Sequence, residues 1–182
     1  FTDIIKIIES TCNNDNIIAS FISIARRMLS YSFKVNSPLK QIPRFAKFIL
    51  QDSFPRIVHR KFQSIYSRWK VLTILIESCS DFAYVSPEYV NSIHSSEAFI
   101  SALITTISIG ASALNQDKSN AFQIASSTDR TDIKYAVRFE SATLNFLQLI
   151  ITKYLDSHED VSPLCRIFFD EKNEACSIFS SL

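Results

Sequence analysis

Apolar side chains recur at intervals of three and four residues along nearly the whole chain. This spacing places residues on one face of an α-helix, and no segment shows the strict apolar and polar alternation of a half-buried strand. The pattern therefore predicts an all-α protein of about eight helices, several of them short, with a polar connecting loop at 115–129. The helical segments that it indicates are 3–11, 16–33, 43–50, 55–79, 87–93, 97–114, 131–155, 163–169 and 171–179.

Three of these segments are long enough to predict which face enters the core. In segment 16–33 the expected inner face is Ile17, Phe21, Ile24 and Met28. In segment 55–79 it is Ile57, Phe62, Ile65, Trp69, Leu72 and either Leu75 or Ile76. In segment 131–155 it is Ile133, Val137, Glu140, Leu144, Leu147, Ile151 and Leu155. Glu140 is then either a buried carboxylate with a raised pKa or a residue at the edge of this face with a basic partner.

Proline and glycine usage agrees with a helical chain. All five prolines are expected to open helices, because proline loses nothing at the first helical position, and serine precedes Pro38, Pro87 and Pro163 as a helix cap. Gly110 is the only glycine, where average usage supplies about a dozen. Glycine-rich phosphate-binding loops and most tight hairpins are therefore excluded.

Helix pairs repeat at a nearly constant distance along the sequence. When the first helices of successive pairs are placed at residues 3, 43, 87 and 129, their starts are 40, 44 and 42 residues apart. Together with the capped proline starts and the Ile, Leu and Phe faces, this spacing resembles the irregular α-solenoids of the HEAT and armadillo type, whose repeats span about 40 to 47 residues. The resemblance implies stacked antiparallel helix pairs over the whole chain and a role as a scaffold.

Composition favours one domain, 1–182, which we interpret as a segment of a larger protein. A chain of 182 residues with 47% apolar content can bury one continuous core without disulfides or metals. No apolar stretch is long enough to cross a membrane. The four cysteines, Cys12, Cys79, Cys165 and Cys176, are scattered and are expected to be free thiols, which favours the cytosol or nucleus over secretion. Within the cell, we expect the nucleus rather than the cytoplasm.

Charge is concentrated in one part of the chain, which we call the basic stretch, 34–70. It holds nine basic residues and one acid, a net charge of +8, whereas residues 71–182 hold seven basic and fourteen acidic residues, a net charge of −7. Such a stretch contacts nucleic acid phosphates or a protein partner, or it is a solvated surface that balances the acidic half. The candidate binding residues are Lys40, Arg44, Lys47, Arg56, Arg60, Lys61, Arg68 and Lys70.

Catalytic chemistry has little support in the sequence. The three histidines, His59, His94 and His158, are far apart, and none has a second histidine or a cysteine at the spacing of a zinc site on a helix. We therefore expect no enzyme activity, no cofactor and no small-molecule substrate. The sequence favours a scaffold or protein-binding module whose partners are other subunits of a large assembly, and the alternative is an RNA- or DNA-contacting module that uses the basic stretch.

Overall fold

The computed structural model describes residues 14–34, 47–85, 96–120 and 127–156, and in these residues the backbone is helical almost throughout, with no strand. The all-α prediction is therefore confirmed for this part of the chain. The helices are α1 (Asp15–Lys34), a π-helix (Phe48–Ser53), α2 (Phe54–Val58), α3 (Ile65–Val85), α4 (Glu97–Asn120) and α5 (Ser127–Leu155).

Helix α3 lies at the centre of the described structure, with α1 packed on one side and α5 on the other. Near the N-terminal ends of the helices, the Lys70 ammonium of α3 donates to the Asn16 side chain of α1. In the same region, the ring of Tyr66 of α3 packs edge to face against the ring of Tyr135 of α5. Near the C-terminal end of α3, Lys153 of α5 lies over the ring of Tyr84. These contacts show that α3 runs in the same direction as α5. Helix α1 runs in this direction too, because Asn16 near its start contacts Lys70 near the start of α3, and Arg26 in its second half pairs with Asp81 near the end of α3. We call α1, α3 and α5 the parallel layer.

Helix α4 packs against both α5 and α2. Phe99, near the start of α4, contacts Phe146, in the second half of α5, with ring centroids 6.3 Å apart. The start of α4 thus lies beside the later part of α5, so these two consecutive helices are antiparallel. The described residues therefore contain one antiparallel hairpin together with a parallel layer.

The π-helix and α2 form one helical run around Pro55. Proline has no backbone N–H and cannot donate to the preceding turn, so the helix accommodates it with a wider turn. The backbone N–H of Phe54 accordingly bonds to the carbonyl of Ile49, five residues earlier, and Pro55 sits in the first turn of α2. The sequence prediction of a break between 50 and 55 is wrong, although Pro55 does lie in the first turn of the α-helical part of this run.

The predicted helix 55–79 is two helices in the structure. Helix α2 ends at Val58, and α3 begins at Ile65 after a non-helical segment, 59–64. Ser64 caps α3, because its Oγ accepts from the backbone N–H of Ser67 at 3.0 Å. The backbone N–H of Gln63 donates to the carboxylate of Asp15 on α1 at 2.9 Å, so a tertiary contact replaces an intrahelical one. Periodicity could not reveal this interruption.

The inner faces agree with the prediction on α3 and differ on α1 and α5. Trp69, Leu72, Leu75 and Ile76 of α3 are buried as expected, and Ile57 of α2 is buried too. On α1 the buried residues are Ile18, Ala19, Ile22 and Ala25. Of the residues predicted for the inner face of α1, Ile17, Ile24 and Met28 are exposed and Phe21 is half-buried. This helix is apolar on two sides, and the side with the small alanines is the one that meets α3.

Helix α5 also buries a different face from the predicted one. Its core face is Phe139, Ala142, Thr143, Phe146, Leu147, Ile150 and Tyr154. Of the predicted face, Leu147 is buried and Ile151 is partly buried, whereas Val137, Leu144 and Leu155 are exposed. The physical reason is that the phenylalanine rings have the largest apolar surfaces on the helix, and burying them releases more free energy than burying valine or leucine.

The predicted polar loop at 115–129 is helical in both of its outer parts, because α4 continues to Asn120 and α5 begins at Ser127. The predicted helices 3–11, 87–93, 163–169 and 171–179 lie outside the described residues, as do most of segment 43–50 and the caps before Pro38, Pro87 and Pro163.

Candidate functional site

An open groove of about 430 Å³ crosses the parallel layer. Central helix α3 forms its floor, and α1 and α5 supply its two sides. The side chains that line it are mostly polar or charged: Arg26, Glu77, Ser80, Asp81, Val137, Arg138, Ser141, Ala142 and Asn145.

A network of ion pairs centred on Glu77 holds the groove together. Arg26 of α1 donates to the carboxylates of Glu77 and Asp81, which are one turn apart on α3. From the other side, Arg138 of α5 donates to Glu77 through two nitrogens, Nε to Oε1 at 2.9 Å and Nη2 to Oε2 at 3.0 Å. Glu77 therefore joins α1 to α5, which are linked mainly through α3.

The network leaves the charges of the groove balanced. Partial burial opposes the charge of Arg26, but hydrogen bonds and attraction from Asp81 and Glu77 outweigh it, so the pKa of Arg26 lies above its ordinary value. Two arginines face two carboxylates, and each arginine is already bound to an acid of the same chain. The groove is thus a preorganised, nearly neutral polar surface and not an open site for a free anion.

Apolar and hydrogen-bonding side chains border this polar floor. Val137 is 51% exposed on the wall formed by α5, next to the exposed Ser141 and Asn145. An exposed apolar side chain flanked by hydrogen-bonding groups and ion pairs is typical of protein-binding surfaces, which combine apolar contacts with a polar rim.

The groove offers no recognisable machinery for catalysis or metal binding. Its serines have no histidine among the lining residues, and no group of three or more His, Cys, Asp and Glu side chains in the described parts of the chain is arranged to hold a metal ion. His59, the one histidine within the described ranges, is exposed in the segment 59–64. No described helix is long and apolar enough to span a membrane.

The structure describes six of the eight candidate binding residues of the basic stretch. Lys47, Arg56 and Lys61 are exposed, whereas Lys40 and Arg44 lie outside the described residues. Arg60 and Lys70 instead face α1, where Arg60 pairs with Asp15 at 3.6 Å and Lys70 bonds to Asn16 at 2.9 Å. Arg68 is half-buried, and desolvation lowers its pKa.

The structure also describes Cys79 and Glu140, two further residues that the sequence analysis discussed. Cys79 is a free thiol, fully buried on α3, and burial raises its pKa, so it is a core residue as expected. Glu140 is half-buried and lies beside the core face of α5, which agrees with the predicted position at the edge of that face. The other cysteines and histidines lie outside the described residues.

Sequence reasoning did not identify the groove. Its signal was present in α3, where Glu77 and Asp81 are the only acids in a helix that is otherwise mostly apolar, four residues apart and therefore on one face. Two carboxylates on one face of a mostly apolar helix are expected to pair with basic residues on neighbouring helices. Which arginines supply them depends on helix packing, which no local pattern encodes.

Comparisons with known proteins identify no relative. No protein-family description matches the chain, and no curated protein or solved structure matches it.

Proposed function

We propose that this protein is a non-catalytic, α-solenoid-like scaffold that binds other protein subunits of a large intracellular, nuclear assembly through the groove that α1, α3 and α5 form. The observation that carries the proposal is the open groove itself, whose ion pairs are preorganised and whose wall presents an exposed apolar side chain, Val137. A stack of helices with such a surface acts by presenting that surface to partner proteins.

The parallel layer supports the α-solenoid part of the proposal. In a solenoid built of helix hairpins, every second helix belongs to the same layer, and the helices of one layer run in the same direction. Helices α3 and α5 are parallel neighbours in space, and α4, which lies between them in sequence, packs against α5 in the opposite direction. This alternation is what a stack of hairpins requires.

Site-directed photocrosslinking tests the groove. A benzophenone amino acid placed at Ser141, on the groove wall, should crosslink in cells to one or a few discrete proteins, which mass spectrometry identifies. The matched position is Ser101, which is exposed on α4 and is not part of the groove lining. Crosslinks that are equal at the two positions, or absent from Ser141, would contradict the proposal.

A second variant tests whether the crosslink at Ser141 depends on apolar contact at Val137. Val137→Glu places a charge on the exposed apolar residue of the wall, and it should reduce the Ser141 crosslink about tenfold or more, because a desolvated charge opposes apolar contact. Circular dichroism of the same variant should be unchanged, because Val137 is half exposed and its replacement leaves the core intact.

The alternative function is contact with RNA or DNA through the basic stretch, and it is favoured by the exposed side chains of Lys47, Arg56 and Lys61. Reversing these three to glutamate should abolish binding if they contact phosphates, and wild-type affinity should fall steeply with salt. Arg60 is unsuitable for this test, because its reversal would also break the ion pair with Asp15. No retention of nucleic acid by the folded wild-type protein near physiological salt would eliminate this alternative.

A further inference from the structure

The ion pairs of the groove leave two of its charged atoms without a bond. Both oxygens of Glu77 accept hydrogen bonds from arginines, and Arg138 donates to them through Nε and Nη2. Within the described residues, Oδ1 of Asp81 and Nη1 of Arg138 have no hydrogen-bond partner, and these side chains are 40% and 56% exposed. The groove therefore offers a partner one acceptor and one donor that its own network does not use.

Uncharged groups line the wall that α5 contributes. Ser141 and Asn145 are exposed and one turn apart, and in the part of the chain that the structure describes their side chains make no hydrogen bond. Val137, one turn before Ser141, is the exposed apolar residue of the same wall. A partner that covers this wall therefore meets hydroxyl, amide and methyl groups.

A charged partner group gains little in the groove. A guanidinium or ammonium that approached Asp81 would lie beside Arg26, which is bound to the same carboxylate. A carboxylate that approached Arg138 would lie beside Glu77, which is bound to the same guanidinium. Because each accessible charge already has the opposite charge next to it, an added charge meets both signs and still loses its hydration.

A primary amide suits the unused atoms better than a charge does. Its carbonyl oxygen accepts and its NH₂ group donates, so it can bond to Nη1 of Arg138 or to Oδ1 of Asp81 without desolvation of a further full charge. The groove volume of about 430 Å³ lies within the roughly 300 to 1,000 Å³ of pockets for small ligands. It therefore admits a few side chains of a partner and not a whole helix.

We infer that the partner inserts an uncharged segment into the groove, in which an asparagine or glutamine bonds to Arg138 or Asp81 and a small apolar side chain contacts Val137. This inference rests on the function proposed above and names the chemistry of the partner's segment. Binding of such a segment is nearly independent of salt, because the contact neutralises no net charge.

Selection from a phage-displayed library of random peptides tests this chemistry. Groove-dependent peptides are those that bind wild-type protein but neither Ser141→Trp nor Asn145→Trp, which fill the groove without adding a charge. They should be enriched in Asn or Gln and depleted of Lys, Arg, Asp and Glu. Their dissociation constants should change less than about twofold between about 50 mM and about 500 mM salt. Ser101→Trp, at an exposed site on α4, is the matched control and should bind them as the wild type does.

Substitution within a selected peptide sharpens the test. Replacing its Asn or Gln with the nearly isosteric Asp or Glu, and separately with Lys, should weaken binding about tenfold or more in both cases. The same substitutions at a peptide position where alanine has no effect serve as the control. Circular dichroism establishes that the tryptophan variants are folded, as expected for changes at exposed residues.

The inference is overturned if either charged substitution binds as well as the parent peptide, or if groove-dependent peptides are enriched in charged residues. Both results would leave the groove as a protein-binding site. The absence of groove-dependent peptides would overturn the inference as well. The Ser141 crosslink, which does not depend on the chemistry of the partner, then shows whether the groove binds protein at all.

Discussion

Replacing Phe54 with alanine should lower the free energy of unfolding by about 3 to 5 kcal/mol, because the substitution removes a fully buried ring from the centre of the core. Phe54 belongs to α2, and its ring lies 5.2 Å from Phe99 of α4 and 5.8 Å from Phe146 of α5, measured between centroids. The three rings join helices from distant parts of the sequence. Their tilted and edge-on arrangement adds to the free energy of burial.

Urea denaturation monitored by circular dichroism measures this effect. Leu144→Ala is the matched control, because it also truncates a large apolar side chain on a helix, but one that is 55% exposed. Its effect should stay within about 0.5 kcal/mol. Equal losses from the two variants would contradict the packing described for the three phenylalanines.

The helical class could be predicted from the sequence because it depends on local properties that the chain displays throughout. Three- and four-residue periodicity and the single Gly110 indicate helices without reference to tertiary structure. Helix α1 was located to within one residue at each end, because polar residues bound an apolar periodic segment there. Trp69 was placed correctly in the core because the apolar residues of α3 that follow it leave few alternatives.

The orientation of α1 and α5 could not be predicted, because both helices are apolar on more than one side. Periodicity identifies faces, but the face that is buried is decided by what packs against it. The small Ala19 and Ala25 are buried on α1, and the ring of Phe146 on α5 packs against Phe54 of α2 and Phe99 of α4. Most of the residues that the sequence assigned to the core on α1, and three of those on α5, are therefore exposed.

The groove was missed for a related reason. Its ion pairs join residues more than 50 positions apart, such as Arg26 with Glu77, and no local pattern relates such residues. The basic stretch, by contrast, was visible as a cluster in the sequence. Among its described members, Arg60 and Lys70 contact α1, whereas Lys47 and Lys61 are exposed. The binding surface that the sequence assigned to this stretch stays a prediction.

The contact between Asp15 and the segment 59–64 explains both the interruption before α3 and a large part of the attachment of α1. Asp15 is only 1% exposed, its Oδ2 accepts from the backbone N–H of Gln63, and its Oδ1 lies 3.6 Å from the guanidinium of Arg60. Within the described structure Oδ1 has no hydrogen-bond partner, so the charge of Arg60 is what compensates its burial. The ion pair thus offsets part of the cost of burying both side chains.

Asp15→Ala should therefore lower the free energy of unfolding by about 2 to 4 kcal/mol, because it leaves Arg60 largely buried without its acid and Gln63 without its acceptor. Asp15→Asn should have a smaller effect, since an amide oxygen still accepts from Gln63. Asp52→Ala, which removes an exposed carboxylate, serves as the control and should change stability by less than about 0.5 kcal/mol.

A double-mutant cycle with Arg60→Met distinguishes the ion pair from general loss of packing. In the Arg60→Met background the cost of Asp15→Ala should fall by about 1 kcal/mol or more, because the change at position 60 has already removed the ion pair with Asp15. Circular dichroism at increasing urea concentration measures all four proteins of the cycle. Strictly additive losses would show that Asp15 and Arg60 act separately, and the interruption before α3 would then depend on the bond to Gln63 alone.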